Sequence, residues 1–98
     1  SEGEFPTSEV STLYSEARKI KLNGRALEYD LKVVDLGRTI QQKHPEMKNR
    51  SQDNEFLDNV MKNREKIQYG GLLLPETERT RLEKIIEWSL TKESLEPH

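Results

Sequence analysis

Between Val10 and Lys43, just before His44–Pro45, apolar positions recur in steps of three and four: Val10, Leu13, Ala17, Ile20, Gly24, Leu27, Leu31 and Val34. That is the spacing of a helix seam, held for about three heptads. A second series, Tyr29, Val33, Leu36 and Ile40, occupies only the later half. At about 100° per residue it lies nearly opposite the first. A helix apolar on two faces needs cover on both, so the rest of the chain must wrap it or leave one face for a partner. Asn23–Gly24 is either a break or a helix interior, where glycine costs about 1 kcal/mol against alanine. The apolar phase passes through Gly24 without a slip, so the spacing favours one helix over 8–43, bent there. Pro45 keeps His44 out of the helical region and stops the helix near Lys43.

The remaining chain reads as two shorter helices. Residues 45–50 are a polar connection, and Ser51 can cap a helix over 51–69 with Asp53 and Glu55 in its first turn. Its face is Phe56, Leu57, Val60, Met61 and Ile67, interrupted at Arg64. Gly70–Gly71 ends it. Leu72-Leu73-Leu74 is expected to lid one end of the bundle, because three leucines in a loop do not stay wet cheaply. Pro75 suits the first position of a third helix over 75–92, whose stripe is Leu82, Ile85, Ile86 and Leu90. The expectation is an all-α, three-helix antiparallel bundle with a long first helix. It forms a single domain over 8–92, after a flexible lead-in (1–7, where Phe5 alone can pack) and before a frayed tail (93–98).

Composition narrows the function. Of 98 residues 32% are apolar and 35% charged, which suits exposed helical surface better than thick sheets. The absence of cysteine removes disulfides and thiolate metal sites, and it fits a reducing, cytoplasmic compartment. A net charge of −2 argues against a dedicated nucleic-acid binder. No apolar run is long enough for a membrane span, and the first residues lack a signal-peptide core. The two histidines, His44 and His98, form neither a metal pair nor a triad by spacing. No serine lies in a nucleophile elbow, and Gly70–Gly71 lacks the lysine of a phosphate loop. Neither enzyme activity, nor a cofactor, nor a metal is expected.

Three features remain as candidate partner surfaces. Arg18, Lys21, Arg25 and Lys32 share a flank of the long helix, a stripe for an acidic partner or phosphates; no aromatic residue interleaves with it, so a solvated face is the competing reading. Trp88 lies about 120° from Leu82 on the third helix and is either a partner anchor or packing over a neighbouring flank. Tyr29, Val33, Leu36 and Ile40 are core if the bundle wraps both sides, and otherwise an exposed face for a partner or a second copy of the chain.

Two local stretches resemble known families. Phe56-Leu57-Asp58-Asn59-Val60-Met61-Lys62, Glu65-Lys66-Ile67 and Leu73-Leu74-Pro75-Glu76 leading to Arg81, in a three-helix order, resemble the BAG domain of chaperone regulators. The resemblance implies a non-catalytic cofactor that grips the ATPase domain of a heat-shock chaperone, with Asp58 and Arg81 in the positions of the gripping carboxylate and arginine. Gln68 and Trp88-Ser89 depart from that family's pattern. Arg25-Ala26-Leu27-Glu28-Tyr29-Asp30-Leu31, with Asp35, is similar to part of the N-terminal three-helix domain of syntaxin-type SNAREs, which implies a regulatory bundle in membrane traffic. A nucleic-acid-binding helical domain using the basic stripe is the alternative from another class.

Overall fold

The computed structural model describes residues 8–95; the lead-in 1–7 with Phe5, and residues 96–98 with His98, lie outside the described residues. The described residues form α1 (Glu9–Leu22), α2 (Ala26–Lys43), a 3₁₀ turn (Pro45–Asn49), α3 (Ser51–Lys62), α4 (Arg64–Gln68) and α5 (Glu76–Leu95), with no strand among them. The all-α expectation holds. The single helix over 8–43 does not.

The chain reverses at Asn23-Gly24-Arg25. Ser8 caps α1, its Oγ accepting from the Ser11 N–H at 3.0 Å. At the other end the Asn23 N–H donates to the Lys19 and Ile20 carbonyls, and Gly24 turns the chain at φ +79°. A glycine that weakens a helix interior adopts this left-handed conformation without the Cβ clash other residues meet. Packing settles the choice. A break lets α1 fold back antiparallel, bringing Lys43 Nζ to 3.3 Å from Glu9 Oε2. The one apolar face of α1, with Val10, Tyr14 and Ala17 buried, then covers one side of α2.

Helix α2 is the centre of the molecule, packed by every other helix. Tyr29, Val33, Leu36 and Ile40 are at most 2% exposed and point inward beside Val34. They are core, so the second stripe offers no face to a partner or to a second copy. Helices α3, α4 and α5 cover the sides that α1 leaves open. Gly37 lets them approach closely: a Cβ there would lie 2.9 Å from Leu57 Cδ2 and 3.2 Å from Leu82 Cδ2.

The expected helix 51–69 is also divided, at Asn63, into α3 and α4. Arg64 follows Leu57 by seven residues, so a straight helix would turn its guanidinium onto the buried face. An unpaired buried charge is costly. The break instead lets Arg64 pair with Asp35 of α2, its Nε 2.7 Å from Oδ1 and its Nη2 3.1 Å from Oδ2. At the end of the chain α5 runs through Leu95 rather than stopping at 92, so the first positions of the expected frayed tail are helical. The molecule is therefore a hairpin of two helices, α1 and α2, wrapped by α3–α4 and α5, in place of three antiparallel rods.

Candidate functional site

A buried polar latch joins α2 to the start of α5. Asp30, fully buried, accepts from Arg79 Nε at 2.8 Å and Nη2 at 3.0 Å, and from the Leu74 N–H at 2.8 Å. Arg79 Nη2 also donates to the Leu74 carbonyl at 2.7 Å. Its hydrogen bond to Asp30 holds the guanidinium pKa above its ordinary value. Both backbone groups of Leu74 are thus tied to one ion pair, and Leu74 is buried beneath it.

That anchor governs what the preceding loop shows to solvent. Helix α4 ends with the Gly71 N–H on the Ile67 carbonyl and the Leu72 N–H on the Lys66 carbonyl, with Gly71 at φ +68°. Tyr69, Leu72 and Leu73 then stand 79%, 61% and 51% exposed. The three leucines do not act together as a lid: Leu74 fills that role and its two neighbours project outward. Leu22, at the tip of the α1–α2 hairpin, is 85% exposed.

Beside the latch, on the α1 side, Tyr29 donates from its hydroxyl to Glu83 Oε2, and Lys21 Nζ reaches the same oxygen at 3.4 Å. Lys21 Nζ also lies 4.8 Å from the Tyr29 ring centroid. Burial first, and then the bond to Glu83, push the Tyr29 phenol pKa above its ordinary value. The unfolded phenol ionises near pH 10, roughly the reference value, whereas the folded one keeps its proton. Folding stability from this group is therefore complete below about pH 10 and is lost as pH rises above it. Urea unfolding between about pH 9 and 11 should show that loss, and Tyr29→Phe should make the slope shallower. An unchanged slope in the variant would assign the loss to other groups.

A second buried polar cluster was invisible to spacing. His44 Nε2 lies 3.0 Å from Ser89 Oγ and 3.3 Å from Glu93 Oε1, and its Nδ1 lies 3.3 Å from Glu46 Oε1. Serine, histidine and carboxylate thus have the connectivity of a hydrolase triad. Ser89 is 0% and His44 4% exposed, so the hydroxyl has no route to a substrate and the cluster joins the end of α2 to α5. Proline-terminated chain and helical register placed these residues together from 45 positions apart. Among the described residues no group of acidic and histidine side chains has metal-holding geometry.

The residues expected to bind partners are dispersed. Trp88 is half-buried: Arg50 Cζ lies 4.7 Å and Lys92 Nζ 5.6 Å from its ring, and the His44 ring meets it edge-on at 5.6 Å. It packs over the neighbouring flank. Arg81 lies 4.5 Å from the Phe56 ring and 3.3 Å from Asp53 Oδ1. Asp58 instead accepts from Gln41 Nε2 at 2.9 Å. Phe56 and Asp58 are about 160° apart around α3, so Asp58 and Arg81 occupy opposite flanks. The basic stripe is split by the turn at Gly24. Arg18 stacks on Tyr14, Lys21 meets Glu83, Arg25 pairs with Glu28, and Lys32 lies apart on α2.

No protein-family model matches this chain, and neither a curated protein nor a solved structure does. No helix among the described residues is long and apolar enough to cross a membrane.

Proposed function

We propose that this chain is a non-catalytic helical module that binds another protein through the end of the bundle bearing Leu22, Tyr69, Leu72 and Leu73. One observation carries the reading: among the described residues the large apolar side chains that stand exposed are Leu22, Tyr69, Leu72 and Leu73, each more than half exposed, at or beside two chain reversals. Single exposed leucines are ordinary, but apolar residues clustered on one loop mark interaction sites. The Asp30–Arg79 latch adds to this. It fixes the loop before any partner arrives, so less ordering entropy opposes binding. The enclosed Ser89–His44 pair supports a non-catalytic role.

The heat-shock ATPase domain is the partner implied by the sequence resemblance, and the test includes it. Immobilised wild-type chain is compared with Leu72→Ser/Leu73→Ser and with Asp58→Ala/Arg81→Ala, first against cell extract and then against the purified ATPase domain, with nucleotide release as a second readout. The expected result is a partner retained by the Asp58/Arg81 variant and lost by the loop variant. Equal retention by the loop variant sinks the proposal. Nucleotide release that needs Asp58 and Arg81 would assign the chaperone-cofactor role to α3 and α5 instead.

A further inference from the structure

Both nitrogens of the buried His44 ring face a carboxylate, yet a neutral imidazole has one N–H to give. Nδ1 lies 3.3 Å from Glu46 Oε1, whereas Nε2 lies 3.3 Å from Glu93 Oε1 and 3.0 Å from Ser89 Oγ. A hydrogen bond from its own backbone, and then one from Lys92, hold the Glu46 carboxyl below its ordinary range. It is therefore ionised and takes the Nδ1 proton. With Nε2 bare, the Ser89 hydroxyl donates to it, and Glu93 Oε1 is left facing a lone pair. Glu93 Oε2 is buried with no hydrogen-bond partner. The Glu93 carboxylate, 17% exposed, would then have no donor among the described residues, and its desolvation would go uncompensated. The nearby cations do not relieve it: Lys92 Nζ is 3.2 Å from Glu46 Oε1, Arg50 Nη2 is 2.9 Å from Asp53 Oδ2, and Lys43 pairs with Glu9 of α1. One further proton satisfies the cluster. On Nε2 or on the Glu93 carboxyl it joins the same two atoms, so it belongs to the pair.

We propose that the folded chain holds one proton between His44 and Glu93 at neutral pH, and that losing it releases the last turn of α5. Glu93 lies in that turn, so swinging its carboxylate into water is the smallest movement that relieves the bare pair. The cluster is a proton-linked clasp, separate from the loop that carries Leu72 and Leu73. In the unfolded chain the histidine gives up its proton near pH 6.5, roughly the reference value, and glutamate is already ionised. The clasp therefore stabilises fully below about pH 6.5, and its contribution is lost as pH rises above that. In that window the folded chain binds one proton more than the unfolded chain. The unfolding constant should then rise about tenfold per pH unit.

Urea unfolding of the full chain between about pH 6.5 and 8.5 reads that slope. Glu93→Gln is the matched control, because its amide can donate to a bare Nε2 and needs no proton. Its unfolding constant should stay level over the same range. Hydrogen exchange gives a local readout: protection of the amides of residues 92–94 should fall with rising pH in the wild type and hold in Glu93→Gln. A level wild-type curve overturns the proposal, and so does a slope in Glu93→Gln equal to that of the wild type. If Glu93→Gln does not fold, the wild type decides alone, and protection at 92–94 that is indifferent to pH overturns the clasp.

Discussion

Replacing Arg79 by leucine is expected to lower folding stability by about 3–5 kcal/mol, read as a shifted urea midpoint with an unchanged slope. The substitution leaves the Asp30 carboxylate at 0% exposure with the Leu74 N–H as its remaining partner. It also takes a donor from the Leu74 carbonyl. A small domain has roughly 5–15 kcal/mol in all, so the variant should be marginal. Asp30→Leu should cost less, because Arg79 is 19% exposed at its side chain and can turn toward water. In the double variant, Asp30→Leu/Arg79→Leu, much of the loss should return, since two well-packed apolar groups often replace a buried ion pair without penalty. The Leu74 N–H keeps that recovery incomplete. A loss below about 1 kcal/mol in Arg79→Leu would mean that water reaches Asp30 and that the latch is loose. Hydrogen exchange at the Leu74 amide separates local from global effects: in the single variants it should speed up more than exchange at the α2 core.

How much of this was legible in the sequence follows from what periodicity can encode. The second stripe of α2 was plain in Tyr29, Val33, Leu36 and Ile40, and with it the need for cover on both sides. The break at Gly24 was hidden because the turn preserves the apolar phase; three residues of loop rotate the pattern no differently from a turn of helix. The asymmetry between halves was the usable clue. One half has a single apolar face and the other has two, which is what a hairpin requires when its first arm covers its second. Arg64 on an apolar face likewise signalled the α3–α4 break. The latch was not legible. Asp30 and Arg79 are 49 residues apart, and neither has a neighbour whose chemistry points at the other. The same holds for His44 and Ser89. Leu72 and Leu73 were misread because local hydrophobicity says that a residue favours burial, whereas the anchor at Leu74 decides which one is buried.

Ile40→Ala and Leu73→Ser should separate the two kinds of apolar residue this chain contains. Ile40 is 0% exposed on the central helix, so its truncation removes buried methyl groups from a site that α3 and α5 hold close to α2. The expected cost is about 2–5 kcal/mol, towards the upper end because Gly37 already brings Leu57 and Leu82 to the helix and leaves them little room to collapse inward. Leu73 is 51% exposed, and its replacement should change stability by no more than about 0.5 kcal/mol. Thermal unfolding of both variants measures the difference. A small effect at Ile40 would mean that the second stripe packs loosely and can open towards a partner, restoring it as a binding face. A large effect at Leu73 would mean that the loop serves the fold, and the loop end would lose its claim to function. With the expected pair of results, stability and recognition are carried by different apolar residues, and the latch at Asp30 is the point where the first fixes the geometry of the second.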